Sequence, residues 1–187
     1  IWIFSIVFLS TAIGSLIFQS TTFALPKIFD ERLGDLAISA TLVGWYAFVV
    51  FSIASMGQVV VGYLLDRFSI KLVFMVVAAS QAMFFLLMIG RMGTSALFVS
   101  IAFMLVVFGQ IPINDVLVGR ITKSEWRSRA FGLRSIIGFT VMASAIPMIA
   151  WIYATWNFDV LFGVLAVAGI CIWIAVAMLP RQLATRP

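Results

Sequence analysis

The chain lacks histidine altogether and has a single cysteine, Cys171, among its 187 residues. A Cys/His metal cluster, a thiol nucleophile with a histidine base and an intrachain disulfide are therefore all excluded. Charge is scarce as well, because only 10% of the residues are Asp, Glu, Lys or Arg. We expect no metal, no cofactor and no catalytic residue, and we expect Cys171 to be a small apolar packing residue.

The few acidic residues are expected at or beyond helix ends. They are Asp30, Glu31, Asp35, Asp66, Asp115, Glu125 and Asp159. An enzyme working inside a membrane needs a nucleophile or paired carboxylates at depth. The sequence therefore predicts a protein that is not an enzyme.

Hydrophobic sequence is what the chain has in excess, since 64% of its residues are apolar and its mean hydropathy is +1.18. Six stretches contain no charged side chain. A helix of about 20 residues crosses the hydrocarbon core of a bilayer, and in lipid a helix satisfies its own backbone hydrogen bonds. The sequence predicts an all-α membrane protein, one transmembrane domain over 1–187, with six helices at about 1–26, 38–65, 71–90, 94–116, 130–154 and 158–180.

The basic residues lie in the connections between these helices and favour one side. The 66–71 connection, the 117–134 connection and the C-terminal segment hold most of them, whereas the other side has only Lys27, Arg32 and Arg91. The positive-inside rule places the richer side, and with it both termini, in the cytoplasm. We expect a multi-pass protein of a bacterial inner (plasma) membrane whose partner is the lipid bilayer and not a nucleic acid.

One connection carries a motif, Gly62-x-x-x-Asp66-Arg67, with Lys71 four residues further on. Glycine lets a neighbouring helix approach closely, and Asp66 can cap a helix N-terminus. The motif resembles the G-x-x-x-D-R-x-G-R-K loop, motif A, of the major facilitator superfamily of secondary transporters. It departs from that pattern at two positions, Ser69 and Ile70. The resemblance implies that Gly62, Asp66, Arg67 and Lys71 form a gating element.

A second stretch, Arg127-x-Arg129-Ala130-Phe131-Gly132-Leu133, resembles the start of the eleventh helix in that family. The resemblance covers essentially the whole chain as helices seven to twelve, built from two inverted three-helix repeats. It implies an N-terminal six-helix half as partner. Because the chain opens inside a hydrophobic run without a methionine, we expect it to be the C-terminal half of a longer polypeptide.

Polar residues in apolar helices indicate where a pore is lined. Polar stripes follow the first, second and fourth helices, and the candidates for lining a substrate cavity are Gln19, Thr22, Gln58, Gln110 and Asn114. The alternative is that such side chains only mediate packing between helices. Gln81 lies in the third helix, which the resemblance makes peripheral, so we expect it to be structural.

Asp115 and Arg134 are the remaining charged pair, both expected near the cytoplasmic boundary. They form either a gate whose partners exchange during transport or a plain interfacial ion pair, worth about 0–1 kcal/mol. The function that the resemblance implies is ion-coupled transport of a small organic solute or drug-like compound by alternating access. The alternative is a non-transporting scaffold or receptor that kept the fold.

Overall fold

A computed structural model describes residues 2–34 and 36–179. It contains six long helices: α1 (Trp2–Arg32), α2 (Ala40–Arg67), α3 (Ile70–Met88), α4 (Gly93–Ile121), α5 (Arg127–Thr155) and α6 (Phe158–Ala177), with one 3-10 turn (Ser124–Trp126) before α5. All six are long and apolar enough to cross a membrane, and the described residues form no strand. The predicted all-α, six-helix fold is confirmed.

Short connections make successive helices antiparallel. The connections from α1 to α2, from α3 to α4 and from α5 to α6 lie at one end of the bundle, which we call the Arg32 end. The connections 68–69 and 122–126 lie at the opposite end, which we call the Arg134 end. Because each repeat has an odd number of helices, α1 and α4 run in opposite directions.

The packing of the helices follows the two three-helix repeats. The most extensive contacts join α2 to α4, α1 to α5, and α3 to α6, and α1 also packs on α4. If α1 is exchanged with α4, α2 with α5, and α3 with α6, the same set of helix pairs results. The chain is therefore organised as two three-helix units of inverted direction.

A cluster of three aromatic rings forms the centre of the peripheral side of the bundle. Phe85 of α3, Phe103 of α4 and Phe162 of α6 are each at most 1% exposed, and their ring centroids lie 5.5–6.3 Å apart. Tilted ring pairs at such distances are favourable beyond the area that they bury. This cluster fixes α3 and α6 against α4.

Two glycines let α2 and α4 approach very closely. A Cβ atom on Gly57 would stand 2.4 Å from the carbonyl oxygen of Leu105, and one on Gly109 would stand 2.7 Å from a methyl group of Val61. Since neither position tolerates a side chain at this separation, small residues determine the distance between these helices.

Two helices extend further than their apolar runs predict. α1 continues through Pro26 to Arg32, and not only to 26, because Ile28 and Phe29 are buried and the N–H of Leu33 still donates to the Phe29 carbonyl at 2.9 Å. Proline removes one hydrogen bond without stopping a helix whose next turn is anchored. α4 likewise continues past 116 to Ile121, because Leu117 is fully buried.

The remaining boundaries shift by smaller amounts. α2 begins at Ala40 and ends at Arg67, and α5 runs from Arg127 to Thr155. α3 stops at Met88 because Gly90 adopts a positive φ of 69° that breaks the helix. The predicted ends at 1 and 180 lie outside the described residues. Cys171 is exposed on α6, so its prediction as a packing residue is wrong.

Candidate functional site

Two adjoining cavities lie between α1, α4 and α5. They measure about 190 Å³ and 170 Å³, and Ser15, Arg134 and Met142 line both of them. Gln110 and Asn114 of α4 contribute to the larger one, and Thr11 of α1 and Gly138 of α5 contribute to the smaller one. We call the two together the polar cavity.

Two amides of α4 bring unpaired hydrogen-bonding atoms to the polar cavity. Gln110 is 4% exposed and Asn114 is 6% exposed. The Gln110 Nε2 and the Asn114 Oδ1 have no hydrogen-bond partner, and neither has the Thr11 hydroxyl in the smaller cavity. A buried polar atom without a partner is costly, so these atoms indicate a place for water or a ligand.

An ion pair between α4 and α5 borders the same space. Arg134 donates to a carboxylate oxygen of Asp115, and the two side chains are 20% and 47% exposed. Asp115 lies inside α4, about two turns before its end, so its expected position at a helix end is wrong. Arg134 lines both cavities, so the pair brings charge to the edge of the polar cavity.

The walls of the cavity differ from those expected. Gln19, Thr22 and Gln58 are half-buried and do not contribute to the two cavities, and the Thr22 hydroxyl donates to the Phe18 carbonyl within its own helix at 2.7 Å. α5 forms the third wall in place of α2. Its contribution was missed, although Ser135, Gly138 and Met142 recur at helical spacing on one face.

Comparisons with known proteins agree with this architecture. A sequence model of the Major Facilitator Superfamily matches residues 6–187. The chain belongs to the major facilitator superfamily. Membership in a family of secondary transporters also confirms the prediction that this protein is not an enzyme. No curated protein sequence matches the chain.

The fold is also similar to a solved transporter of this superfamily. The crystal structure of a mutant of the peptide transporter POT in complex with sulfate matches with a TM-score of 0.82 and 16% sequence identity. The match covers 97% of this chain and 38% of that chain, so this chain spans well under half of that transporter. At this identity the likeness shows the fold alone.

The motif A loop of this superfamily member is partly engaged inside the bundle. The Lys71 ammonium donates to the carbonyl oxygens of Ala177 and Leu179, at 2.7 and 2.5 Å, and so caps the C-terminal end of α6. Ser69, and not Asp66, is the N-cap of α3, where its hydroxyl accepts from the Leu72 N–H at 3.3 Å.

The rest of the motif lies at the surface of the described bundle. Asp66 and Arg67 are exposed in the last turn of α2, and the Arg67 guanidinium stacks 4.7 Å above the Tyr63 ring. A Cβ on Gly62 would meet nothing within 4 Å. Gly62 therefore makes no close helix contact within the described chain.

Sequence reasoning missed the polar network at the Arg32 end. Arg32 is 7% exposed and donates to Asp159 of α6 and to the Met88 carbonyl, each at 2.6 Å, and to the Arg91 carbonyl at 3.3 Å. Asp159 also accepts from the Gly90 N–H at 2.9 Å. The network ties α1, the α3–α4 connection and α6 together, and we call it the Arg32 clamp.

No metal centre is visible among the residues that the structure describes. The described residues contain no group of three or more His, Cys, Asp or Glu side chains that could hold a metal ion. The chemistry that the site can perform is hydrogen bonding and ion pairing, which suits reversible binding.

Proposed function

We propose that the chain is the C-terminal half of a secondary transporter that moves a small organic solute by alternating access. The observation that carries the proposal is the polar cavity, where buried amides of α4 face α1 and α5 with unpaired atoms. Helices seven and ten of the family correspond to α1 and α4. A site between them lies where the two halves of such a transporter meet.

The lining of the polar cavity favours a solute that combines apolar and polar parts. Phe18, Val107 and Met142 supply apolar wall, while Gln110 and Asn114 supply hydrogen bonds. Asp115 and Arg134 neutralise each other, so they add no net charge to the site. We infer an uncharged or weakly charged drug-like solute.

We propose a second six-helix half as the partner of this chain. In their most apolar stretches only 28% of the residues of α2 and 22% of those of α5 are buried, against 39% in α1 and 44% in α3, α4 and α6. Gly44 and Gly62 of α2 and Gly132 of α5 have nothing within 4 Å of a built Cβ. Small residues on exposed faces permit close packing of another helix, which supports α2 and α5 as the interface.

The motif A residues that the bundle leaves exposed are proposed to contact that second half. Gly62, Asp66 and Arg67 lie at the Arg134 end, on the helix with a largely uncovered face. We propose that they close the cytoplasmic side of the transporter. The protein then lies in a bacterial inner membrane, with both termini of the chain on the cytoplasmic side. Lys71 stabilises α6 and is assigned a supporting role.

Ion coupling is assigned to the pair that borders the cavity. Protonation of Asp115 removes the charge that holds Arg134, and Arg134 is then able to bind another acceptor as the halves rock. Asp115 is an acidic residue paired with Arg134, and Arg134 lines the polar cavity. A proton is accordingly the proposed coupling ion.

The test uses the full-length protein in sealed proteoliposomes that contain a pH-sensitive dye. A panel of uncharged amphipathic solutes is applied, and each is scored for uptake and for proton movement. We expect at least one solute to move protons with it, and we expect Asp115→Asn to abolish the proton movement. Asp30→Asn is the matched control, because Asp30 is an exposed carboxylate at the opposite end.

Three outcomes contradict parts of the proposal. Absence of uptake for every solute favours the scaffold alternative. Wild-type proton movement in Asp115→Asn removes the coupling role. Wild-type flux at normal expression in Asp66→Ala removes the gating role of the motif A loop.

A further inference from the structure

We infer that the polar cavity recognises an amide group of its solute, through the Gln110 side-chain N–H and the Asn114 side-chain oxygen. The inference rests on the proposed function, because it names the chemistry of the solute that the cavity would bind. It also gives Gln81, which lies on the peripheral helix α3, a role as a positioning residue.

Gln81 of α3 determines the orientation of the Gln110 side chain. The Nε2 of Gln81 donates to the Oε1 of Gln110 at 2.7 Å, and Gln81 is fully buried. The oxygen of Gln110 is therefore engaged on the α3 side, and its Nε2 is left without a partner. A Cβ on Gly14 of α1 would stand 2.6 Å from that nitrogen, so the glycine makes room for it between α1 and α4.

Asn114 supplies the complementary atom. It follows Gln110 by four residues in α4, so the two side chains lie on the same helix face with their Cβ atoms about 5–6 Å apart. The Asn114 Oδ1 is buried and has no partner. Two residues of the cavity wall, one helical turn apart, thus carry one unpaired donor and one unpaired acceptor.

A carboxamide is the small neutral group that matches this pair. The carboxamide oxygen accepts a hydrogen bond from an N–H. The carboxamide N–H donates to a neighbouring oxygen at the same time. A ketone or ester of the same shape satisfies Gln110 and leaves the Asn114 oxygen buried and unpaired. Sites built to pair with a polar group discriminate against the analogue that lacks it.

The remaining surroundings indicate an uncharged solute with an aromatic part. Phe18 lines the cavity, and its ring packs 5.3 Å from that of Phe108. Val107 and Ile111 add aliphatic wall. Since Asp115 and Arg134 are already paired with each other, the site has no unmatched charge that would favour an ionic solute.

The experiment measures protection of an engineered cysteine in the full-length protein. Ser15 lines both cavities, and Ser15→Cys is combined with Cys171→Ala and with removal of other reactive cysteines. The rate of labelling by a water-soluble maleimide is measured in proteoliposomes against increasing benzamide or acetophenone. The two probes share ring and carbonyl, and only benzamide has N–H donors.

We expect benzamide to protect the cysteine at about tenfold lower concentration than acetophenone, as the gain of one buried hydrogen bond predicts. Asn114→Leu should remove this difference. Gln110→Met should instead weaken protection by both probes, because both carbonyls accept from the Gln110 N–H, with Gln110→Glu as the second variant if Gln110→Met does not fold. Gln81→Met should weaken protection by both probes at least threefold and leave the difference between them unchanged. Gln19→Met is the matched control, because Gln19 does not contribute to the cavity, and it should behave as the parent protein does.

The failures of the two proposals can be told apart. If the cysteine is not labelled at all, the cavity is closed to water and the proposed transport site is wrong. If it is labelled but both probes protect equally, or neither protects, the amide inference is overturned while the cavity stands. Unchanged protection by both probes in Gln81→Met removes the positioning role of Gln81.

Discussion

An ion pair between helices lies at each end of the bundle, and the two pairs are built differently. At the Arg32 end, Arg32 is nearly inaccessible and bonds to Asp159 and to two backbone carbonyls. At the Arg134 end, Arg134 donates to Asp115, beside the polar cavity, and both side chains are more exposed. The first pair joins α1, α6 and the α3–α4 connection, whereas the second joins only α4 and α5.

The difference in burial and in number of partners gives the two ion pairs different roles: one holds helices together, and the other can exchange partners. A buried charge with several partners is costly to release, because each partner would be left unsatisfied. A half-exposed pair beside a cavity exchanges partners with water, a proton or a solute at little cost. We therefore regard the Arg32 clamp as the fixed joint of the two repeats and the Asp115–Arg134 pair as the part that changes during transport.

The largest effect on stability is expected from Arg32→Leu. The change leaves Asp159 and the Met88 and Arg91 carbonyls without their cation, and breaking such a buried pair costs about 3 kcal/mol. Thermal unfolding of the full-length protein in detergent measures it. Arg91→Leu is the control, because Arg91 is an exposed arginine of the same end. Equal stability of both variants would mean that the clamp is not a joint.

A glycine substitution tests whether tight packing also holds the repeats together. Gly57→Ala forces a Cβ to within 2.4 Å of the Leu105 carbonyl oxygen, so α2 and α4 must move apart. Such overpacking costs about 1–3 kcal/mol, measured by the same unfolding assay. Gly62→Ala, on the exposed stretch of the same helix, should leave unfolding unchanged and lower transport, because it lies at the proposed interface between halves.

Lys71→Met sharpens the comparison within the Arg134 end. The Ala177 and Leu179 carbonyls lose their cationic partner, and we expect a loss of about 1 kcal/mol. Transport per folded molecule should stay near that of the wild-type protein, since Lys71 stabilises α6. A loss of transport without a loss of stability would return Lys71 to the gating element that the motif predicts.

Arg134→Leu should have the smallest effect on stability, about 1 kcal/mol or less. It should nevertheless abolish transport, because the partner of Asp115 is gone. Unfolding and flux are measured on the same preparation. A large loss of stability in this variant would make the pair a structural one, equivalent to the Arg32 clamp.

The fold could be predicted from the sequence because the length of an apolar run and the thickness of a bilayer are matched quantities. The helix ends could not, since Pro26 and Asp115 look like boundaries in the sequence. Tertiary contacts continue α1 to the Arg32 clamp, and Arg134 neutralises Asp115 inside α4.

The site was predictable only in part, for a related reason. Gln110 and Asn114 lie on one face of one helix, so helical periodicity identifies them. The neighbours that complete the site come from other helices. Gln81, 29 residues away, and α5 as the third wall follow from how the repeats pack, which a single sequence does not encode locally.

Amide hydrogen exchange of the full-length protein in proteoliposomes tests the contrast between the ends most directly. Exchange reports the free energy of local opening. We predict that residues 28–32 and 158–163, held by the Arg32 clamp, exchange at least tenfold more slowly than residues 115–121 and 131–137 around the Asp115–Arg134 pair. Equal rates, or faster exchange at the Arg32 end, would contradict a fixed joint at one end and a switch at the other.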